Sequence, residues 1–351
     1  MHITEVVEPP TTADGDNNGD GLVNAADYVA STQAAEWSAP LNLPADVARV
    51  RRRLASDPHR PRYHYLPPAN FLKDPNGLIF WKGRCHLFYQ SNPYEVVDLN
   101  MTWSHAVSED LVHWTDPPVA LAPTPDGPDA AGVFSGGIVL FDEVPTAVYF
   151  GNSGGICIAR AHPRDELLIH WQEHKGNPII PTTPEASAWR PFDPNVFRDG
   201  EDWVILCGGR VESGDTAYTL VSKDFRNWKF LHNFYESSHK WTRTIDDCAV
   251  PDSFRLGNRH ALLFSSHSGQ SQYYLGSYSS QEKKFFPEDH GRFSKLRELS
   301  LEHGDPQAPM SVLAPDGRRI VFNWISEGCR FEAQHARGWG GDHLASSRLV
   351  A

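Results

Sequence analysis

Four aromatic residues constrain this chain more than anything else in it. Trp114, Trp171, Trp228 and Phe285 follow one another at intervals of 57 residues, each closing a short segment such as Ser108–Trp114, Leu167–Trp171 or Ser222–Trp228. A second series keeps step at intervals near 60: Asp74-Pro-Asn-Gly, Phe134-Ser-Gly-Gly, Asp193-Pro-Asn-Val, Pro251-Asp-Ser-Phe and Ala308-Pro-Met-Ser. Self-similarity at a fixed period marks stacked supersecondary units. Between the markers the apolar runs are short and bounded by turn residues, as in Gly77–Trp81, His86–Tyr89, Thr146–Phe150, Trp203–Leu206, His260–Phe264 and Arg319–Trp324, and the chain carries 27 glycines and 27 prolines. Such runs read as strands. The double register therefore predicts an all-β chain, a five-bladed β-propeller whose second series of markers faces one central cavity. A β-sandwich or barrel with evenly spaced hairpins is the alternative.

Charge separates a leader from this repeat. The formal net charge is −12, yet residues 1–48 hold eight acids and no Lys or Arg, so the remainder carries only −4. A nearly neutral body excludes a phosphate-tracking surface, and no nucleic-acid partner is expected. The basic run Arg49–Arg53 reads as a solvated linker. No stretch approaches the ~20 apolar residues that a bilayer needs, so no membrane partner is expected, and Met1–Pro10 lacks the regions of a signal peptide. Five cysteines, widely separated and never in C-x-x-C pairs, argue against a zinc site or a disulfide framework.

The expected division is a leader at 1–48, a linker at 49–62 and the propeller at 63–351. Within the leader, Asp16, Asn18, Asp20, Asn24 and Asp27 put oxygen donors at positions 1, 3, 5, 9 and 12 of a loop over 16–27, with Gly21 at position 6 and the Leu22 carbonyl at 7. Hard cations take such oxygens, and this is the spacing of an EF-hand type calcium loop. A disordered acidic tail is the alternative. The loop also resembles one half of a dockerin repeat, which implies a cohesin-like partner.

The strand-entry markers present acids: Asp74, Asp193, and the cluster Asp246, Asp247 and Asp252. One Asp-Pro alone is a turn former. Several on one axis supply what cleavage of a glycosidic bond needs, a carboxylate to attack or stabilise the sugar cation and a second group to protonate the leaving oxygen.

From about Tyr63 to Ala351 the chain resembles glycoside hydrolase family 32, the invertases, levanases, inulinases and related β-fructosidases. The resemblance rests on His64 through Asp74-Pro-Asn-Gly77, His86-Leu-Phe-Tyr-Gln90, Trp103 to Trp114, Gly132-Val-Phe-Ser-Gly136, Asp193-Pro, Pro251-Asp-Ser-Phe and Arg318–Ile325. It implies retaining hydrolysis of terminal β-D-fructofuranosyl bonds in sucrose or in fructans such as levan and inulin, with no catalytic cofactor and a secreted location. It also implies Asp74 as nucleophile, Asp193 as transition-state stabiliser, and Asn76, Gln90, Trp103, Phe134 and Ser135 as the fructose subsite.

The chain departs from the family pattern at three places. Lys73 stands where the family has Asn, and Phe192 where it has Arg, with Arg190 as the substitute. The family's acid/base is the Glu of Glu-Cys-Pro-Asp. Here the segment reads Asp246-Asp247-Cys-Ala-Val-Pro-Asp252. Alignment on Pro251-Asp252 puts Ala249 at the acid position, and alignment on Cys248 puts Asp247 there. Asp247 is the first choice for acid/base and Asp246 the second, while Asp252 reads as structural or hydroxyl-binding. A non-catalytic, scaffold-attached fructan-binding protein and an arabinofuranosidase-type glycosidase are the competing readings. Family members continue past the last propeller strand into a β-sandwich, which this chain is expected to lack.

Overall fold

The computed structural model describes residues 45–58, 60–61, 64–182, 191–293, 306–326, 331–340 and 342–349. The 16–27 loop and Arg190 lie outside them.

The described chain is a helix followed by sheets set around an axis. The first sheet contains β1 (Asn70–Trp81), β2 (Arg84–Asn92) and β3 (Thr102–Ser108). The second contains β4 (Val133–Phe141), β5 (Val144–Gly151), β6 (Gly155–Ala161) and β7 (Trp171–Glu173), with β8 (Ile180–Pro181) paired to β6. The third runs β9 (Phe192–Asp199), β10 (Asp202–Val211), β11 (Gly214–Ser222) and β12 (Lys229–Asn233), and the fourth β13 (Ala249–Leu256), β14 (Arg259–Ser265), β15 (Ser271–Ser279) and β16 (Lys284–Arg292). The last described sheet comprises β17 (Pro306–Leu313), β18 (Arg319–Ser326) and β20 (Asp342–Leu349). Between β18 and β20 lie helix α2 (Phe331–Arg337) and β19 (Trp339–Gly340), and β19 leaves its own neighbours to pair in parallel with β1, Asn70 opposite Trp339.

The expectation of a five-bladed propeller is corrected on this point. Four sheets have the four or more strands of a blade, and the β17-β18-β20 sheet has three among the described residues. The aromatic series explains the difference. Trp114 meets Phe322 of the last sheet edge-on at 6.0 Å, Trp171 meets Phe88 of the first sheet at 5.6 Å, and Phe285 stacks on Phe234 at 5.8 Å. Trp228 packs on Phe225, which stacks on Phe141 of the second sheet at 4.6 Å. Each ring is a plug between its own sheet and the one before it. The next position in the series is Asp342, so the aromatic repeat stops at four copies, in step with the four complete sheets.

The first strands β1, β4, β9, β13 and β17 lie against one another around the axis. Each has a register shift at its marker: Lys73-Asp74, Phe134-Ser135, Asp193-Pro194, Val250-Pro251 and Ala308-Pro309. A bulge bends the strand and re-aims a side chain, so the repeated marker is a repeated bulge. Asp193, Val250 and Ala308 take its first position with φ of 44°, 48° and 47°. Left-handed backbone is costly for a β-branched residue such as Val250, and strain of this kind collects at functional sites.

The expected linker is in part a helix, α1 (Ala45–Ala55), which crosses the 48/49 boundary. Val47 and Leu54 are buried, Val50 lies against Gly338, and the Arg53 guanidinium donates to the Arg337 carbonyl. Arg53 thus reaches the turn before β19, while Arg49, Arg52 and Arg53 stay exposed, as expected of a solvated face. No described helix is long and apolar enough to cross a membrane, and Cys85, Cys157, Cys207 and Cys248 are free and buried.

Candidate active site

Asp74 occupies the second position of the β1 bulge. Ser135, at the matching position of β4, donates its hydroxyl to Asp74 Oδ2 at 2.7 Å, and Gln90 on β2 approaches the same oxygen at 3.4 Å while donating to Ser135 Oγ at 2.6 Å. Donors converging on one oxygen fix the carboxylate's orientation. The other oxygen, Oδ1, accepts no hydrogen bond from a described residue. Gly77, with φ 52°, lets the strand continue beneath, because a Cβ there would meet Ile138 Cδ1 at 2.8 Å and the Trp103 ring at 3.0 Å.

Asp193 takes the first bulge position of β9 and is only 8% exposed. Burial and the neighbouring Asp74 carboxylate push its carboxyl up to about 7. Lys73 and His267 oppose that rise, while Asp247 adds to it. Lys73 itself is held charged, above the usual lysine value despite burial, by Asp74, Asp98 and Asp193, and it pairs with Asp98 at 2.8 Å. Three carboxylates, one lysine and one imidazole thus act on one another at the axis, and carboxyls in different environments are the arrangement that divides roles between them.

Asp246 and Asp247 separate sharply. Asp246 is 1% exposed; its Oδ2 accepts the Arg243 amide at 2.8 Å, and Oδ1 accepts the Arg243 guanidinium at 3.1 Å, Ser266 Oγ at 3.2 Å and Ser268 Oγ at 3.0 Å. Burial raises its pKa, but these donors outweigh burial and hold it below the usual carboxylate range. A carboxylate so bound is an anchor, so the second choice for acid/base is corrected to a structural role. Asp247 accepts the His267 amide on Oδ1 at 2.7 Å and pairs with His267 Nδ1 through Oδ2 at 2.6 Å. That pairing raises His267 to about 9.

Other expectations are resolved by burial. Asn76 is fully buried; its amide donates to the Asp74 carbonyl at 3.1 Å and its Oδ1 accepts the Gly136 amide at 3.2 Å, so it ties β1 to β4. Trp103 is also fully buried and donates to the Phe134 carbonyl at 2.8 Å. Both are therefore braces between neighbouring strands with no exposed face. Asp252 repeats the theme of Asn76, accepting Asn195 at 3.2 Å and the Ser311 amide at 2.7 Å to join β9, β13 and β17. Ala249 is a buried methyl with no proton to give. Phe134 is partly exposed and packs edge-on against Phe150 at 6.4 Å. Among the described residues no group of three His, Cys, Asp or Glu could hold a metal ion.

Sequence reading missed His267. It lies in Ser266-His-Ser-Gly-Gln270, a polar turn between the apolar strands β14 and β15, and that composition is the only signal that could have singled it out.

Residues 64–348 match the family described as Glycosyl hydrolases family 32 N-terminal domain. A sucrose-6-phosphate hydrolase of Escherichia coli is 33% identical over 80% of this chain and 60% of its own length. A vacuolar acid beta-fructofuranosidase 1 of a Rosa hybrid cultivar is 29% identical over 80% of this chain and 51% of its own. Among solved structures, fructan 1-exohydrolase IIa from Cichorium intybus superposes with a TM-score of 0.72 at 27% identity, covering 84% of this chain and 58% of that one. The chain thus spans between half and three-fifths of these proteins.

Proposed function

Because the chain belongs to the family of glycosyl hydrolases family 32 N-terminal domains, we infer that it hydrolyses terminal β-D-fructofuranosyl bonds in sucrose or fructans with retention. The observation that carries the reading is the contrast between Asp74 and Asp193. Asp74 keeps one oxygen fixed by Ser135 and Gln90 and the other unclaimed by any described residue, the geometry of a nucleophile. Asp193, raised to about 7 by burial and Asp74, is where positive charge growing on the sugar is most welcome, because an ionised Asp193 lacks solvation that the oxocarbenium ion would replace. Asp74 attacks the anomeric carbon, the leaving oxygen takes a proton, and water later resolves the fructosyl-enzyme. Side chains carry every step, so no cofactor is called for.

The names of the relatives point to sucrose, its phosphorylated form and fructans as the substrates to try. Fructose release from sucrose, inulin and levan, measured in parallel, tests the reading. Asp74→Asn should lower it by about three orders of magnitude or more with an unchanged melting curve; an active variant would remove Asp74 from the reaction.

For the leader we propose one calcium ion on Asp16, Asn18, Asp20, the Leu22 carbonyl, Asn24 and Asp27, and a cohesin-like partner docking there. The support is donor spacing in the sequence. Calorimetric titration of the full chain with calcium, against Asp16→Ala, tests it, and equal heats from both proteins would end it. A secreted location is proposed with it.

A further inference from the structure

The reaction needs a proton donor, and neither position suggested by alignment supplies one: Ala249 is a methyl, and both oxygens of Asp247 are taken by His267. We propose that His267, held by Asp247, is the catalytic proton donor to the glycosidic oxygen in this chain. The assignment rests on the reading above, in which Asp74 attacks the anomeric carbon.

The structure builds this imidazole into place. The turn after β14 is pinned at both ends of the histidine: Ser266 Oγ donates to Asp246, Ser268 Oγ lies within hydrogen-bond reach of both Asp246 Oδ1 at 3.0 Å and the Ile245 carbonyl at 2.9 Å and gives its one proton to either, and the Arg243 guanidinium donates to the Ser268 carbonyl. Asp247 then takes both the amide and Nδ1 of His267. Nδ1–H donating to a carboxylate fixes the tautomer and leaves Nε2–H as the proton to transfer. No described residue takes up Nε2, and the side chain is 70% exposed while Asp247 is 14% exposed, so the ring is open to solvent with its anchor partly buried behind it. The Phe192 ring lies 5.9 Å away, at the residue that precedes Asp193.

Chemical balance follows. As Asp74 bonds to the anomeric carbon, the bond from that carbon to the leaving oxygen breaks, and Nε2–H passes its proton to the oxygen. The neutral imidazole then takes a proton from the incoming water, whose oxygen displaces Asp74 and restores the imidazolium. Charged groups acting on His267 are Asp247 from the loop before β13, Asp193 from β9 and Asp74 from β1. The three carboxylates hold the ring charged up to about 9, so the donor is fully protonated at neutral pH.

Leaving groups of different basicity provide the test, because only a poor leaving group needs the acid. Sucrose and p-nitrophenyl β-D-fructofuranoside are compared with wild type, His267→Gln and Asp247→Asn. We expect His267→Gln to lose about 10²–10⁴-fold in kcat/KM on sucrose and less than about tenfold on the nitrophenyl substrate. The wild-type profile on sucrose should fall as pH passes about 9, and in Asp247→Asn that limb should move down toward the ordinary imidazole range. Equal losses on both substrates, or sucrose cleavage by His267→Gln within threefold of wild type, overturn the assignment. If His267→Gln does not fold, the wild-type limb decides: a limb near 9 supports His267 and a profile flat to pH 10 refutes it. Wild type inert on both substrates would instead end the fructosidase reading, and this assignment with it.

Discussion

Asp193→Asn should stabilise the protein while disabling it, by an amount that the electrostatics of the site fixes. The carboxyl is 8% exposed and sits at about 7 against an ordinary 3.8, with burial the larger cause and Asp74 the next. Between those values the folded chain binds a proton that the unfolded chain has released, so stability falls as pH rises through the window and levels off above it. The linkage relation gives a cost to wild type of about 1 kcal/mol at pH 4.5 and about 4 kcal/mol at pH 8.5. Asparagine has the same shape, never ionises and tolerates the positive φ of this position. The gap between variant and wild type should therefore widen by about 3 kcal/mol between the two pH values, a shift of roughly 1 M in the urea midpoint at a slope of about 3 kcal/mol/M. Urea unfolding at pH 4.5 and 8.5, with fructose release as the companion measurement, makes the comparison. A gap of the same size at both pH values would refute the claim that Asp193 is destabilised by its own charge.

Two further outcomes separate scaffold from site. Asn76→Ala leaves the buried Gly136 amide without its acceptor and should cost about 2 kcal/mol in urea unfolding, yet KM for the fructosyl substrate should hold at temperatures well below melting; a raised KM would return Asn76 to the sugar. Trp171→Ala removes a fully buried plug and should cost about 3–5 kcal/mol, read from the same unfolding curves with activity per folded molecule retained.

Sequence period and burial carry different information, and the chain shows where each ends. The 57-residue spacing located Trp114, Trp171, Trp228 and Phe285 because a plug between sheets must recur once per sheet. The same spacing could not say that the last sheet would hand β19 to the first, which depends on pairing across the whole chain. The markers located every axial bulge. They could not tell which of its two residues faces inward, so Asp74 and Asp193 looked equivalent although they occupy successive positions. Asn76 and Trp103 stand in recognisable motifs, and only the packed structure shows that both are fully buried. Asp246 and Asp247 are adjacent in sequence, and only their partners, serines and an arginine in one case and His267 in the other, distinguish an anchor from a working pair.

The pairing of β19 with β1 sets an order of events in time. Trp339 must emerge before it can lie beside Asn70, so the sheet that carries Asp74 is finished only when nearly the whole propeller has been made. Contacts that distant in sequence form slowly and late, since long loops must close before they contribute. A chain interrupted before residue 339 would carry every residue of the candidate site and still hold Asp74 on an unclasped edge, open to pairing with other chains. The candidate site is thus completed only at ring closure, and partial synthesis should yield sticky protein whose Asp74 strand lacks its last partner.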